Sequence, residues 1–332
     1  MQIKRPAYFD EFRCIASACP DSCCKEWDVQ VDDTAAAYYQ ALPGALGDRL
    51  RQVMYEDEGS WYFAIEPDRR CPMWRDDGLC RIQAEQGEQA LCKTCREFPR
   101  LTHDYGDFVE RGLELSCPEA ARLILSAENR SWLTEEAEGG APEYDGEAMD
   151  VLLQCREQAV EILDDSRYSP AEALALLLIH GYRAQQWLDE GEPTEFQPEV
   201  TLELARELAC EASGGELVDF FRDLEILTPQ WKSRLEAGWR NDTLPAQCRA
   251  MARYFVERYY LQAVSDYDLV GRVKLAVISC LLVVGLGGDF VQTAQLYSKE
   301  IENSIDNVEA ILDGAYGSPA LTDAKLLGLL LK

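Results

Sequence analysis

Nine of the thirteen cysteines fall in the first 117 residues: Cys14, Cys19, Cys23, Cys24, Cys71, Cys80, Cys92, Cys95 and Cys117. Thiols gathered this densely are the donor set of a structural zinc ion or an iron–sulfur cluster. A disulfide framework would need an oxidising compartment and usually a small secreted domain. The opening MQIKRPAYFDEF has basic residues but runs into Pro6 and acidic residues rather than an apolar segment, so no signal peptide is readable. A cytoplasmic chain with reduced thiols is therefore expected. The total is odd, and the adjacent pair Cys23 and Cys24 is awkward to bridge to itself. The other four, Cys155, Cys210, Cys248 and Cys280, are scattered singly, as small buried hydrophobes are.

Zinc commonly uses paired Cys-x2-Cys knuckles, and only Cys92-Lys-Thr-Cys95 has that spacing. A cluster also takes four thiolates but spreads their directions over a larger object, so it accepts wider spacing. Cys19, one of Cys23 and Cys24, Cys71, Cys80, Cys92 and Cys95 would furnish one cluster with thiols to spare, and nine would in principle serve two sites. Spacing leaves these arrangements open. A redox-active pair is the rival use of Cys92 and Cys95, and the seven further cysteines nearby weigh against it. The two histidines are too few and too far apart for a histidine-based site. His103 reads as a surface residue, with a ligand or proton carrier as the alternative. His180, inside ALLLIHGY, reads as a satisfied core residue.

The elements that must position these thiols look unlike the rest of the chain. Up to about residue 120, Pro20, Pro43, Gly44, Pro67, Pro72, Pro99 and Gly106 break the text into short pieces. A helix is expected after Asp32-Asp33-Thr34, a strand at 61–66, and a hairpin of 98–104 with 107–115 turning at Tyr105-Gly106. Pro118 opens a helix, and 136–147 reads as an acidic linker. Apolar residues at three and four spacing then predict helices over 148–165, 171–189, 198–213, 215–226, 245–263, 267–286 and 289–313. The fold class is thus mainly α: an irregular cysteine-rich region with a small β hairpin over 1–120, and an acidic all-helical region over 121–332.

The chain carries 32 basic against 60 acidic residues. Such a field repels nucleic acid and anionic membranes and favours lysine-bearing partners, although acidic surface also serves solubility alone. The most apolar stretch, LAVISCLLVVGL at 275–286, is too short for a bilayer and reads as a buried central helix. The glycines at 285, 287 and 288 read as a helix end rather than a phosphate cradle.

CIASACPDSCCKEW at 14–27, CPMW at 71, LCRIQ at 79, LCKTCREFPR at 91 and LSCPEAARLIL at 115 resemble the flagellin lysine-N-methylase family of bacteria. More distantly they resemble a wider group of putative zinc- or iron-chelating CxxCxxCC domains. RYFVERYY at 253 and YSKEIENSIDN at 297 extend the likeness to the C-terminal part and favour the methylase. The resemblance implies a cytoplasmic enzyme that transfers methyl from S-adenosylmethionine to lysines of flagellin, with a [4Fe-4S] cluster involved and zinc as the alternative metal. The nine N-terminal cysteines match the family pattern. Two signatures for the methyl donor are missing: Glu26 stands where a radical-type Cys-x3-Cys-x2-Cys would need its third cysteine after Cys19 and Cys23, and no glycine-rich nucleotide motif appears. Glu257, Tyr259 and Tyr260 are candidates for recognising a lysine ammonium, although the aromatics read better as core. The alternative function is a non-enzymatic iron–sulfur or zinc protein with a structural or partner-binding role.

Overall fold

Helical periodicity becomes fifteen α-helices among the described residues, and seven short strands form two sheets. The computed structural model describes residues 1–26, 29–193, 195–240 and 243–332. Trp27, which closes the first cysteine segment, lies outside them. The strands are β1 (Gln2–Pro6), β2 (Gln30–Val31), β3 (Met54–Asp57), β4 (Ser60–Phe63), β5 (Arg100–Asp104), β6 (Phe108–Leu113) and β7 (Trp132–Glu136). The helices of the first 126 residues are α1 (Asp33–Ala41), α2 (Gly44–Val53), α3 (Arg81–Gln86), α4 (Lys93–Glu97) and α5 (Pro118–Ser126). Those that follow are α6 (Gly146–Asp164), α7 (Pro170–Glu190), α8 (Pro198–Leu208), α9 (Gly214–Arg222), α10 (Pro229–Ala237), α11 (Gln247–Tyr259), α12 (Leu269–Leu286), α13 (Phe290–Ile301), α14 (Ile305–Gly317) and α15 (Asp323–Leu331).

The expected hairpin is β5 and β6, with Arg100 opposite Leu113. It does not stand alone, as the sequence reading had it. β1 lies parallel to β6, with Gln2 opposite Phe108, and antiparallel to β7, with Pro6 opposite Trp132. The second sheet has the order β2-β4-β3. β1 and β7 are short and polar, and their partners are more than a hundred residues away, so no local alternation announces them.

Local chemistry sets most helix ends. The Asp32 side chain accepts from the Ala35 amide and starts α1. In α7, Ser169 and Glu172 form a capping box, Pro170 takes the first turn and Gly191 closes the helix in the left-handed region. Where the expected spans were too long, caps and turns intervene. The span 289–313 is two helices, because Ser304 accepts from the Asn307 amide and starts α14. The span 198–213 stops at Leu208. The span 245–263 ends as a 3-10 turn over Tyr260–Val264. α10 and α15 were not expected, although Thr228 with Pro229 is a start signal for the first of them.

Apolar burial forms two clusters. One, within residues 29–92, contains Tyr39, Leu50, Phe63, Met73, Cys71 and Cys92. The other joins the first sheet to the helices around α12. Every residue of α12 is buried, as a helix apolar on all sides requires. By length and composition this helix would also cross a membrane, but here it is the central core element. Its glycine-rich end has two steric reasons. A Cβ on Gly285 would come within 2.1 Å of the Trp239 ring, and Gly287 caps the helix with φ of +68°.

Glu300 of α13 is fully buried and its Oε2 accepts from the Leu227 amide at 2.7 Å. Burial pushes this carboxyl up to about 7 from an ordinary value of 4.5, against hydrogen bonds from Thr228 and Leu227. A raised carboxyl stabilises the fold below the unfolded value, and that contribution is lost as pH rises through the folded value. Glu300→Gln is therefore expected to gain up to about 3 kcal/mol relative to the unaltered protein between pH 4.5 and 8. Thermal unfolding of both proteins across that range checks it; parallel curves would contradict it.

Candidate metal centre

The cysteines that the sequence spreads over a hundred residues meet at one cavity. It has a volume of about 390 Å³ and is lined by Cys14, Cys19, Cys23, Cys24, Cys80, Cys95 and Cys117. Cys71 and Cys92 are buried behind the wall, in the apolar cluster next to it. Backbone pairing brings the pieces together: the Cys71 amide donates to the Cys24 carbonyl at 2.7 Å, and the Arg81 amide to the Met73 carbonyl at 2.8 Å. Three of the cysteines occupy helix N-caps, Cys80 on α3, Cys92 on α4 and Cys117 on α5. A sulfur there faces the open amides of a first turn, which favour its thiolate.

Burial favours the protonated form of four of these thiols, Cys19, Cys71, Cys80 and Cys117. It pushes Cys71 and Cys117 up to about 12, with the amides of Met73 and of Ala120 and Glu119 acting the other way. Cys80 is raised by burial against the amides of Gln83 and Ile82, and Cys19 by burial against the Asp21 amide. A hydrogen bond with Cys24, and then burial, raise Cys23. Cys92 differs, since the hydrogen bond from Cys95 holds it below the ordinary thiol value while Cys95 is raised well above it.

The helical part supplies a wall that sequence reading missed. Lys299 and Asn303 line the cavity, and Lys299 is only 6% exposed. Its Nζ lies 3.0 Å from Asp21 Oδ2, and Lys25 reaches Asp21 Oδ1 at 2.6 Å. Gln295 donates to the same Asp21 at 3.2 Å and to the Ser116 carbonyl at 2.7 Å. Burial opposes ionisation of Asp21, yet the Lys299 and Lys25 ammoniums hold its carboxyl below the usual range. The segment carrying Cys19, Cys23 and Cys24 is therefore tied to α13. No local pattern signals a contact between residues 278 positions apart.

Among the described residues, no three His, Cys, Asp or Glu side chains stand close enough together to hold a single metal ion. The donor set still fits a larger thiolate-bound group. The donors are soft, their number exceeds four, and the space between them is many times that of one ion. Basic residues around the space, Arg13, Lys25, Arg96, Arg100 and Lys299 against Asp21 and Glu88, offset the negative charge that bound thiolates bring.

The histidines and the C-terminal candidates lie elsewhere. His180 is buried, with Nε2 3.1 Å from Gln158 Oε1, and burial lowers it to about 4. Its Nδ1 has no partner among the described residues, so this core histidine is only half satisfied. Tyr259 and Tyr260 are core, the former donating to Glu302 at 2.9 Å. His103 is not a free surface residue: its Nε2 is buried, and the residue lines a second, smaller cavity together with Glu257.

A helical protein with a thiol-walled cavity closed by a buried lysine is the class that this fold and site define. Comparison with known proteins is more specific. Over 130 residues the chain is 35% identical to the flagellar biosynthetic protein FliU of Salmonella muenchen, covering 37% of this chain and 77% of that protein. It is 27% identical over 239 residues to the Lysine-N-methylase of Salmonella typhimurium and to that of Salmonella choleraesuis, covering 68% of this chain and 58% of each of those proteins. The chain belongs to the family of this FliU protein, and its likeness to the two proteins named Lysine-N-methylase supports a lysine-N-methylase family. It spans 58% of the length of the two proteins that carry the methylase name. No family model and no solved structure matches it.

Proposed function

We propose that the protein is a cytoplasmic methyltransferase that moves a methyl group from S-adenosylmethionine to lysine side chains of flagellin. The observation that carries this reading is the identity over 239 residues to proteins named Lysine-N-methylase. The flagellar name of the third relative supports flagellin as the substrate. The excess of 60 acidic over 32 basic residues suits a lysine-bearing partner.

In this reading residues 1–120 provide the cofactor region and 121–332 the helical region that receives substrate. A [4Fe-4S] cluster, with zinc as the alternative, would be held by four of Cys14, Cys19, Cys23, Cys24, Cys71, Cys80, Cys92, Cys95 and Cys117. When bound, the cluster supplies an iron centre able to take up an electron or a ligand. The chain's own residues do the rest. The apolar cluster around Met73 and Leu91 shields Cys71 and Cys92 from water. Lys299 and Lys25 fix the cysteine-bearing segment through Asp21. The thiols that burial holds protonated would release their protons on binding.

The test is incubation of anaerobically prepared protein with flagellin and methyl-labelled S-adenosylmethionine, followed by mass spectrometry of the flagellin lysines. Label on lysine is expected. Absence of both transfer and methyl-donor binding would leave a non-enzymatic metal protein with a structural or partner-binding role.

A further inference from the structure

The second cavity lies between the first sheet and α11 and has a volume of about 30 Å³, room for a slender group only. Tyr8, His103, Glu110, Trp132, Glu257 and Arg258 are among its walls. Of its charged walls, Glu110, Glu257 and Arg258 are paired already, and Arg111 is exposed. Arg258 reaches Glu302 at 3.1 Å and the Tyr254 hydroxyl at 2.6 Å. Arg156 grips Glu110 through two contacts of 2.7 Å, and Arg253 holds one oxygen of Glu257 at 2.7 Å. Among the residues lining the cavity, His103 has a buried side-chain atom, Nε2, with no hydrogen-bond partner among the described residues. Burial, and then Arg258, lower the His103 pKa, which favours the neutral imidazole, whose two nitrogens are one donor and one acceptor. A buried unpaired acceptor costs about 1–3 kcal/mol, which a ligand donor would recover.

Narrow space, aromatic walls and acceptors of N–H groups are what the end of an alkyl-amine chain requires. We propose that this cavity binds the amine end of a lysine-type side chain, with His103 Nε2 and the Glu257 carboxylate accepting its N–H groups and Tyr8 and Trp132 flanking its methylenes. That the chain belongs to a protein substrate rests on the methylation reading; the amine chemistry stands apart from it. The two residues are 154 positions apart and come from β5 and α11, so only the fold makes them a pair.

The chain has two histidines, so a histidine-labelled sample gives one set of ring signals for His103 and one for His180 as internal control. The probes are Nα-acetyl-lysine methylamide and the norleucine compound of the same shape without the amine. The lysine compound is expected to shift the His103 signals saturably and leave His180 in place, with the norleucine compound inert. Glu257→Gln is expected to weaken lysine-compound binding about tenfold, as loss of one charge-assisted hydrogen bond does. No saturable His103 shift, an equal shift with norleucine, or unchanged affinity in Glu257→Gln would overturn the proposal. Because no methyl transfer is measured, amine binding without transfer would refute the methylation reading alone. Transfer without amine binding would refute this cavity alone.

Discussion

Glu110→Gln is expected to destabilise the protein by about 3–5 kcal/mol, the cost of leaving a buried charge without its partner. The Glu110 and Arg156 side chains are 4% and 12% exposed, and two parallel contacts of 2.7 Å join them between β6 and α6. The guanidinium also lies 5.7 Å from the centre of the Trp132 ring. Removing the carboxylate charge strands Arg156 where little water reaches it, whereas an exposed pair would cost under about 1 kcal/mol. Glu110→Leu combined with Arg156→Met is expected to recover most of the loss, because neither charge is then buried. Urea midpoints of the single and double variants check this. Equal losses in both would show that packing, not charge, holds the junction of sheet and helix.

The second large effect concerns metal. Cys92→Ser and Cys95→Ser are each expected to lower bound metal by more than half, with Cys210→Ser unchanged. A serine hydroxyl is neither soft nor ionised near neutral pH, so it cannot replace a thiolate donor. Cys92 is the one thiol of the set that its surroundings shift toward the thiolate, through the hydrogen bond from Cys95. Cys210 is half-buried and lines no part of the cavity. Metal binding is also folding energy where the core is small. The region around the 29–92 cluster should accordingly become more sensitive to protease in both variants. Full metal content in both would remove Cys92 and Cys95 from the ligand set.

Much of this was readable in the chain. The density of cysteines up to Cys117 marked the region whose thiols line one cavity, and Asp32 and Pro118 announced helix starts through local capping chemistry. What stayed hidden was non-local. The pairing of β1 with β6 and β7 has no local signature, since Gln2–Pro6 is mostly polar and its register is set by distant partners. Lys299 read as one more polar residue of an acidic helical stretch, and only the fold places it against Asp21. His103 looked like a surface residue because its strand is half polar, yet its Nε2 is buried and the residue lines a cavity with Glu257.

The most direct test of the central claim is iron, acid-labile sulfide and zinc content on anaerobically purified protein, with a visible absorption spectrum of the same sample. The account predicts iron and sulfide in equal amounts with broad absorption toward the blue. Zinc without sulfide, persisting after anaerobic cluster reconstitution, would contradict it and leave the cysteine cavity as a structural zinc site.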